Sequence, residues 1–478
     1  MDEPLLVWLL GSALFIVQVM GLATAVHAVM SVRTAQGAIA WSIALVSFPL
    51  VALPLYWVFG RNRFLGYVQA RRGKAPDFAA IMIALRSEAA NTRHAIADLG
   101  PEAAVFERLA AMPFTRGNEV ALLIDGAATF DAMFEAIAAA RSYVLVQFYT
   151  VEDDALGMEL QRRLIASAAA GVRVCLLYDE IGSLGLSNRY LDTLRRAGVS
   201  VAAFEAMRGL PNRFQINFRN HRKILIVDGR TAFIGGHNVG DDYMGRNPGI
   251  GHWRDTHVRI TGPAAIEAQL VFAEDWNWAT GAVPELNWQP AESEGADKVV
   301  LVLPHGPSDD IESCGLFFTE AINSARRRLW LATPYFVPDG RIMGALQLAA
   351  LRGVDVRIML PAKPDMMLVH LAAFEFIGPA AQVGIRFYRY EAGFMHHKVL
   401  LVDDSMAAVG TANLDNRSFR LNFEVTALVR DDGFARAVEA MLERDFADCR
   451  LQTRDDLAGR PAWLRVASRV ANLLSPIL

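Results

Sequence analysis

Two copies of one eight-residue stretch decide the fold of this chain. The first is HRKILIVD at residues 221–228, and the second is HHKVLLVD at residues 396–403. Each is followed at the same distance by a glycine-containing segment that ends in asparagine, GGHN at 235–238 and GTAN at 410–413. Every shared position is displaced by 175 residues, from 221 to 396. Because such self-similarity identifies a duplicated structural unit, we predict a core built from two related halves.

The repeat extends to both sides of these motifs. AGVRV at 170–174 corresponds to RGVDV at 352–356, and FAEDW at 272–276 corresponds to LERDF at 442–446. In both halves, short runs rich in β-branched residues alternate with alanine-rich stretches of helical pattern. The sequence therefore predicts an α/β fold with two pseudo-symmetric lobes, each a mixed sheet flanked by helices.

The spacing of histidine and lysine in each copy predicts a convergent pair of side chains. His221 and Lys223 are two residues apart, and the apolar run after them favours a β-strand, so both would point to the same face. The second copy repeats this with His396 and Lys398. One His-x-Lys occurs often by chance. Two copies in the same register predict a shared site.

Asparagine and aspartate complete each half-site. Asn238 and Asn413 follow glycine-containing segments, where the backbone can approach a ligand closely and the amide can donate to a phosphate oxygen. Asp228 and Asp403 belong to the same repeated catalytic motif, but they have the opposite strand parity to the histidine and precede turn residues. We interpret these two aspartates as residues that hold the turn rather than as proton carriers.

Two imidazoles, two ammonium groups and two amides around one phosphodiester predict a displacement reaction at phosphorus. One neutral imidazole would attack and form a phosphohistidine, while the other, protonated, would give its proton to the leaving alkoxide. The roles would reverse when an incoming alcohol attacks the intermediate. The anionic oxygens would be bound by Lys223, Lys398, Asn238 and Asn413. This chemistry requires no metal and no cofactor, and the sequence suggests neither.

The two imidazoles must differ in protonation state, so each needs its own environment. Asp255 and Glu424 follow the two half-sites and are candidates to bond the far ring nitrogen and fix the tautomer. On spacing alone, an ordinary surface carboxylate is the alternative for each. The remaining histidines near the motifs are predicted to be structural: His237, His252, His257 and His397.

The N-terminal region predicts a membrane anchor. Leu5 to Val26 and Ala38 to Phe59 are uncharged and apolar, and each has about the 20 residues that a helix needs to cross a bilayer. A cleaved signal peptide is the alternative, but acidic rather than basic residues precede the first stretch. Lys and Arg are concentrated at 61–74, whereas the loop between the stretches carries only Arg33. The positive-inside rule therefore places everything after residue 60 in the cytoplasm.

Composition excludes other classes of protein. The formal net charge of −4 argues against a nucleic-acid-binding protein, which normally carries a basic surface. The 3 cysteines are widely spaced and suggest neither a disulfide framework nor a zinc site. Apolar residues make up 53% of the chain, enough for large buried cores.

These observations divide the chain into six predicted segments. They are a transmembrane hairpin (1–64), an amphipathic connector (65–104), the first lobe (105–283), a polar linker (284–298), the second lobe (299–450) and an amphipathic tail (451–478). In the tail, Val466, Ala467, Val470 and Leu474 share one helical face, with Arg465 and Arg469 turned away. Either an interfacial membrane helix or an ordinary packing helix would fit this pattern.

The double HxKxxxxD signature is met in full, and the chain resembles the phospholipase D superfamily. It is most similar to the bacterial cardiolipin synthases, over essentially its whole length. The segments that carry this similarity, beyond the two motifs, include FGRN (59–62), NFRN (217–220), GDDY (240–243), TPYF (333–336), NLDNRSF (413–419) and LLSP (473–476).

The resemblance implies a phosphatidyl transfer at the bacterial inner membrane. One phosphatidylglycerol would give its phosphatidyl group to the terminal hydroxyl of another, which releases glycerol and needs no nucleotide. The resemblance also implies that His221 is the nucleophile and His396 the general acid and base, an order that spacing alone does not set. Membrane lipids are the implied partners, and the sequence does not indicate an oligomeric state.

Other activities remain open at this point. Water could resolve the phosphohistidine, which would make the chain a hydrolase that forms phosphatidic acid. Serine, another alcohol or phosphatidylethanolamine could serve as co-substrate, because headgroup selectivity lies in loops. The apolar N-terminus and acidic net charge disfavour a nuclease, and the intact motifs disfavour an inactive membrane scaffold.

Overall fold

The computed structural model describes residues 3–32, 34–60, 64, 67, 99–205, 217–291, 293 and 295–478. The chain forms two compact units, one of residues 1–69 with 206–218 and the other of residues 70–205 with 219–478. Several predicted features lie outside the described residues: Arg33, the basic cluster at 61–74 and most of the connector at 65–104.

The first unit contains three apolar helices. These are α1 (Glu3–Ser31), α2 (Ala35–Ser47) and α3 (Pro49–Phe59). Within α1, the 25 residues Val7–Ser31 are long and apolar enough to cross a membrane. Large apolar side chains on this helix are exposed, among them Trp8 at 77% and Phe15 at 70%. A helix that is apolar on every side is typical of an apolar surrounding.

The prediction of one continuous second transmembrane helix is wrong. The apolar stretch is divided at Phe48, whose backbone (φ −136°, ψ 56°) is not helical. Pro49 follows directly and explains the break. Proline disfavours the helical conformation of the residue before it, and its ring suits the first position of a new helix. The two short helices replace a single span of 22 residues between Ala38 and Phe59.

Small and polar side chains join the helices of this unit. A Cβ added at Gly21 would lie 2.5 Å from the Leu45 carbonyl oxygen, so glycine permits the close approach of α1 to α2. Gln18 donates to the carbonyl of Val46 at 3.0 Å, in the last turn of α2 where carbonyls lack helical partners. The neighbouring helix thus satisfies the polar residue, as expected for an apolar environment.

The second unit is built on one extended sheet and three short strand pairings. Its first half contains β1 (Thr115–Ile124), β2 (Tyr143–Phe148), β3 (Arg173–Asp179), β4 (Ser200–Phe204), β5 (Arg219–Asn220), β6 (Ile224–Val227), β7 (Thr231–Gly235), β8 (Trp253–Arg254) and β9 (Thr256–Thr261). Its second half contains β10 (Lys298–His305), β11 (Arg328–Ala332), β12 (Phe336–Val337), β13 (Asp355–Pro361), β14 (Arg386–Tyr390), β15 (Phe394–Met395), β16 (Val399–Val402), β17 (Met406–Gly410), β18 (Leu414–Asp415), β19 (Asn422–Arg430) and β20 (Cys449–Leu451).

The strand order shows the duplication predicted from the sequence. It runs β4-β3-β2-β6-β7-β9-β1 in the first half and β10-β19-β17-β16-β11-β13-β14-β20 in the second. Strands β2, β3 and β4 are parallel, as are their counterparts β11, β13 and β14. The two halves meet where β1 pairs with β10 in antiparallel fashion. The prediction of a mixed α/β fold with two pseudo-symmetric lobes is confirmed.

Helices cover the sheet. They are α4 (Pro101–Ala110), α5 (Asp125–Ala138), α6 (Ala155–Ala169), α7 (Asn188–Arg196), α8 (Ala264–Thr280), α9 (Ser313–Ser324), α10 (Gly340–Leu351), α11 (Met367–Gln382), α12 (Asn416–Arg420), α13 (Asp432–Ala447), α14 (Arg454–Ala458) and α15 (Ala462–Asn472). Side chains of Asp154, Ser187 and Asp431 accept amide hydrogens in the first turns of α6, α7 and α13. Such caps define where each helix begins.

Two short parallel pairings cross between the halves and position the functional motifs. β5 pairs with the start of β19, and β8 pairs with β15. Each pairing brings a segment that ends at one histidine motif beside a segment that ends at a carboxylate of the other half.

Candidate active site

The two histidine motifs lie at the crossing between the halves. His221 to Lys223 link β5 to β6, and His396 to Lys398 link β15 to β16. The sequence predicted them within a strand, which is wrong, because the strands begin only at Ile224 and Val399. The pairing of β5 and β15 with the opposite half draws the motifs out of the main sheet. Both histidines therefore lie at the interface.

The carboxylates are exchanged between the halves. His221 Nδ1 lies 2.9 Å from Glu424 Oε2, and His396 Nδ1 lies 2.7 Å from Asp255 Oδ2. The backbone brings them together: the amide of His221 donates to the carbonyl of Phe423, and the amide of His396 donates to that of Arg254. A carboxylate on Nδ1 keeps a proton on that nitrogen, so Nε2 carries the lone pair of the neutral ring.

Glu424 is fully buried at the centre of a network of hydrogen bonds. Besides His221, it accepts from the hydroxyl of Thr411 at 2.6 Å, the hydroxyl of Ser418 at 3.0 Å and the amide of Asn422 at 3.1 Å. Burial raises the pKa of Glu424 to about 7, in spite of these hydrogen bonds and the positive charge of Lys223. The His221 half-site therefore contains a carboxyl group that is partly protonated at neutral pH.

Asp255 has the opposite electrostatic character. Burial favours its neutral form, but interactions with His237, His396 and Lys398 outweigh burial and hold the pKa of Asp255 well below its usual value. The amide of Thr256 also donates to this carboxylate at 2.8 Å. The His396 half-site therefore keeps a full negative charge on its carboxylate.

Both lysines of the motifs are buried beside the histidines. Lys223 donates to the carbonyl of His221 at 2.8 Å, and Lys398 lies 3.0 Å from each ring nitrogen of His396. Burial lowers the pKa of Lys223 to about 7 and that of Lys398 to about 8. Lys223 therefore begins to lose its positive charge near neutral pH, and Lys398 does so at mildly alkaline pH.

The imidazoles themselves favour the neutral form. Burial lowers the pKa of His221 well below its usual value, and both Lys223 and Lys398 act in the same direction. Burial and Lys398 lower the pKa of His396 to about 4, although Asp255 opposes this. Each lysine acts on the histidine of the opposite half as well as on its own. The charged groups of the two half-sites therefore lie close enough to interact with each other.

The predicted asparagines lie in the same region with different contacts. Asn238 accepts from the amide of Thr150 at 3.1 Å and donates to the hydroxyl of Tyr243 at 3.0 Å. Asn413 donates its backbone amide to Ser418 at 3.0 Å, and its Oδ1 is buried with no hydrogen-bond partner in the described part of the chain. Their binding of phosphate stays a prediction.

The motif aspartates lie at the turns after β6 and β16, away from the imidazoles. Asp228 accepts the amides of residues 141, 142 and 143, and Asp403 accepts those of residues 326, 327 and 328. Both have positive φ, 54° and 50°. Aspartate tolerates this left-handed conformation better than most residues. Each aspartate therefore fixes the start of the neighbouring strand, β2 beside β6 or β11 beside β16, the arrangement expected of a turn-holding residue.

Two buried arginines that sequence analysis did not assign hold the interface. Arg222 donates from Nη1 to both carboxylate oxygens of Asp275, at 2.7 and 2.8 Å. Arg254 makes a bidentate ion pair with Asp445, from Nε at 2.8 Å and from Nη2 at 2.7 Å. A signal for them was present in the repeat, because Asp275 and Asp445 occupy corresponding positions of FAEDW and LERDF. The arginines themselves gave no signal, since they are not at corresponding positions.

Aromatic rings also line the histidines and were missed. Tyr149 lies 5.0 Å from His221 between ring centroids, and Trp253 lies 5.1 Å from His396. These residues shield the two imidazoles from bulk water: the side chain of His221 is 12% exposed and that of His396 is 9% exposed. Restricted water access favours the covalent chemistry of a protected intermediate.

The remaining histidines have the following positions. His237 and His257 contact each other through their Nδ1 atoms at 3.1 Å, and the Nδ1 of His397 lies 3.2 Å from the hydroxyl of Thr256. His252 lies outside the buried group and pairs with Asp125 at 2.9 Å. Among the described residues, no group of three or more His, Cys, Asp or Glu side chains has the arrangement of a metal site.

A family model described as a cardiolipin synthase, phospholipase D-like domain matches residues 133–276 and 318–446. Cardiolipin synthase A of Pseudomonas aeruginosa is 49% identical over 475 residues, which cover 98% of this chain and 96% of that protein. Cardiolipin synthase A of Pseudomonas entomophila is 48% identical over 473 residues, 98% of each protein.

A solved structure shares the fold at low sequence identity. The crystal structure of phosphatidylserine synthase from Haemophilus influenzae aligns with a TM-score of 0.58 and 16% identity, covering 80% of this chain and 100% of that one. At this identity, the similarity concerns the fold alone.

Proposed function

Because the chain belongs to the cardiolipin synthase family of the phospholipase D superfamily, we propose that it joins two phosphatidylglycerol molecules into cardiolipin and releases glycerol. By its family it is an enzyme that transfers phosphatidyl groups. The observation that carries the proposal is the exchange of carboxylates, in which Asp255 orients His396 and Glu424 orients His221. Two oriented imidazoles meet the needs of a two-step transfer at phosphorus.

In the first step, Nε2 of His221 attacks the phosphorus of the donor lipid. The bond from phosphorus to the glycerol oxygen breaks as the P–N bond forms, and protonated His396 gives its proton to that oxygen. Glycerol leaves, and the phosphatidyl group remains on His221. Lys223 and Lys398, which are buried beside the imidazoles, offset the charge on the non-bridging oxygens.

In the second step, neutral His396 takes the proton of the terminal hydroxyl of the acceptor phosphatidylglycerol. The resulting oxygen attacks phosphorus, and the P–N bond to His221 breaks. The product has two phosphatidyl groups on one glycerol, and both histidines return to their starting protonation. One phosphodiester is exchanged for another, so no nucleotide is consumed.

The different carboxylates support this division of roles. His396 must hold a proton at the start of the cycle. Burial and Lys398 lower its pKa to about 4, and the fully ionised Asp255 opposes them by stabilising the imidazolium. His221 must be neutral to attack, and the weakly ionised Glu424 gives less stabilisation to a proton on that ring. We assign His221 as nucleophile and His396 as general acid and base on this electrostatic difference.

The family acts on membrane lipids, and α1 supplies an apolar helix of the length that a bilayer requires. We place the enzyme in the bacterial inner membrane, with α1 as one pass and α2 with α3 as a broken return pass. The catalytic lobes would lie in the cytoplasm, which the excess of Lys and Arg after residue 60 supports.

The direct test supplies purified protein with phosphatidylglycerol as its only lipid. We expect cardiolipin and glycerol in equal amounts, and none from the His221→Ala and His396→Ala variants. Phosphatidic acid as the main product would make the enzyme a hydrolase. Product from phosphatidylethanolamine or a free alcohol at an equal rate would overturn the assignment of phosphatidylglycerol as acceptor.

A further inference from the structure

The last helix of the chain has two faces of different character. On one face, small residues pack against the second lobe: Ser468 and Ala471 are buried, and Ala471 packs with Val369 and Ala372 of α11. The sequence left two alternatives for this helix, a packing helix or an interfacial one. This small-residue face meets the first alternative.

The other face of α15 exposes large apolar side chains. The exposed stripe consists of Trp463 (69%), Val466 (62%) and Val470 (59%) on the helix, with Leu473 (78%) and Leu474 (42%) directly after it. A soluble helix normally buries its largest apolar residues and exposes small or polar ones. Here the arrangement is reversed. An apolar stripe of this kind on a folded surface indicates a contact with a further apolar phase or partner.

The charge around the stripe points to an anionic surface. Between residues 459 and 478 the chain contains Arg460, Arg465 and Arg469 and no acidic residue. Arg465 and Arg469 are exposed beside the stripe. Long arginine side chains can lie along an apolar surface and keep their charge at the level of lipid headgroups, and tryptophan favours the same depth. Phosphatidylglycerol and cardiolipin are both anionic, so the charge is complementary.

The stripe is physically connected to the active site. The amide of Arg417 donates to the carbonyl oxygen of Leu478 at 2.9 Å, directly after the turn that follows α15. Arg417 begins the segment that also carries Ser418, which donates to Glu424. Leu414, three residues earlier, pairs with Phe336 beside the same cluster of apolar residues. The segment that follows the stripe is therefore joined by hydrogen bonds to the segment that holds Glu424.

We propose that the exposed stripe of α15 lies in the surface layer of an anionic bilayer and holds the second lobe against it, so that lipid headgroups enter the site without leaving the membrane. This inference rests on the proposed function only for the identity of the lipid. The occupant is the lipid surface. A second copy of the chain on the same stripe is the alternative outcome of the test.

The first experiment compares two physical forms of one substrate. The full-length triple variant Val466→Asp, Val470→Asp, Leu473→Asp is assayed on phosphatidylglycerol in nanodiscs and on a short-chain, water-soluble phosphatidylglycerol. We expect the nanodisc rate to fall about tenfold or more, because charged residues oppose burial in the interface, and the short-chain rate to stay within about twofold.

The matched control is Leu351→Asp. Leu351 is 67% exposed, similar to Val466, but it lies at the end of α10, before β13 begins, and not on α15. We expect no change on either substrate. An unchanged nanodisc rate in the triple variant would overturn the proposal, and so would an equal loss on both substrates, which would give α15 a purely structural role. Phosphatidic acid from the wild type would refute the proposed function and leave this comparison valid.

The second experiment locates the stripe directly. An environment-sensitive fluorophore is attached at Val466→Cys in a Cys449→Ala, His221→Ala background, which preserves the lipid, and its quenching by lipids with shallow spin labels is measured. We expect strong quenching in phosphatidylglycerol nanodiscs, weaker quenching in neutral ones and almost none for a label at Leu351→Cys. Two results together would assign the stripe to a second copy and contradict the proposal. They are a label equally shielded from solvent in detergent and in nanodiscs, and crosslinking between two chains at this position.

Discussion

Glu424 and Asp255 occupy corresponding places in the two halves of the core, and each bonds the Nδ1 of the histidine from the opposite half. Their surroundings nevertheless differ. Burial raises the pKa of Glu424 to about 7, whereas interactions with His237 and His396 keep the pKa of Asp255 well below its usual value. A duplicated core therefore need not give two equal catalytic groups. The ionised Asp255 favours an imidazolium at His396 more than the partly neutral Glu424 favours one at His221, although burial lowers the pKa of both rings.

The buried arginines make the same point about the interface. The first half supplies both, Arg222 from its histidine motif and Arg254 from the segment before its carboxylate. The corresponding residues of the second half are His397 and Phe423. Phe423 packs under Arg222 with 5.3 Å between the guanidinium carbon and the ring centroid. Arg254 pairs with Asp445 of the second half, and Arg222, paired with Asp275 of its own half, donates from Nε to the carbonyl oxygen of Glu424 at 3.0 Å. Because both arginines contact the opposite half, neither half contains a complete site by itself.

The largest expected effect separates the two histidines. His221→Ala should lose about 10⁴-fold or more in turnover, since the nucleophile is removed. His396→Ala should lower turnover by a similar factor when glycerol is the leaving group. With a nitrophenyl ester of the phosphatidyl group, which leaves without a proton, His396→Ala should still release nitrophenol in a single burst equal to the enzyme present.

Stopped-flow absorbance measures this burst. The matching His221→Ala reaction is the control and should show none. If instead His221→Ala gave the burst and His396→Ala did not, the roles of the two residues would be reversed.

The second effect compares the carboxylates. Asp255→Asn should lower kcat at pH 7 by about 10²- to 10³-fold, because it removes the carboxylate charge that stabilises the protonated form of His396. Glu424→Gln should lower kcat only about tenfold, since the carboxyl group of Glu424, with a pKa of about 7, is already partly neutral at this pH. Steady-state kinetics with melting curves as a folding control distinguishes the two. Equal losses would mean that the half-sites are equivalent.

The third effect is a pH dependence that comes from the lysines. A buried lysine with lowered pKa is charged below that pKa and neutral above it. Lys398, with a pKa of about 8, should therefore lose its charge as the pH rises through 8. Lys223, with a pKa of about 7, should lose its charge about one pH unit earlier. We expect KM for phosphatidylglycerol to rise about tenfold between pH 8 and 9.5 as positive charge leaves the site.

The control for this profile is a phospholipid without charge on phosphorus, such as a phosphotriester analogue, whose inhibition constant should be flat over the same range. A constant KM up to pH 9.5 would mean that the lysine charges do not bind the substrate.

The smallest effect on activity concerns the turn-holding aspartates. Asp228→Ala and Asp403→Ala each leave three backbone amides without their acceptor, so each should cost about 2–3 kcal/mol of stability. The folded fraction should keep turnover within a few-fold of the wild type. Chemical unfolding and kinetics on the same samples test this. A loss of turnover comparable to that of Asp255→Asn, in fully folded protein, would give these residues a role in the chemistry.

Much of the fold could be predicted from the sequence, because it depends on local pattern. The apolar runs ILIV and VLLV form β6 and β16, and the displacement of 175 residues anticipated the matching strand orders of the two halves. The break at Phe48 was missed although Pro49 indicates it, since length and hydropathy were given more weight than the effect of proline on the preceding residue.

The sequence predicted which residues form the site, but not which of them bond to each other. His221, Glu424, His396 and Asp255 were singled out, but which acid serves which histidine depends on pairings of two residues, β5 with β19 and β8 with β15. Such short contacts join residues more than 140 positions apart and leave no pattern along the chain. The same holds for Arg254 and Asp445, whose ion pair spans 191 positions.

The identity of the covalent intermediate tests the central claim most directly. Wild-type enzyme is mixed with phosphatidylglycerol labelled at phosphorus, quenched within milliseconds in alkali and digested, and the labelled peptide is sequenced by mass spectrometry. We expect the label on the peptide that contains His221, in an amount that decays as cardiolipin appears. Label on the His396 peptide, or cardiolipin formed at full rate with no labelled histidine at any time, would contradict the proposed division of labour between the two halves.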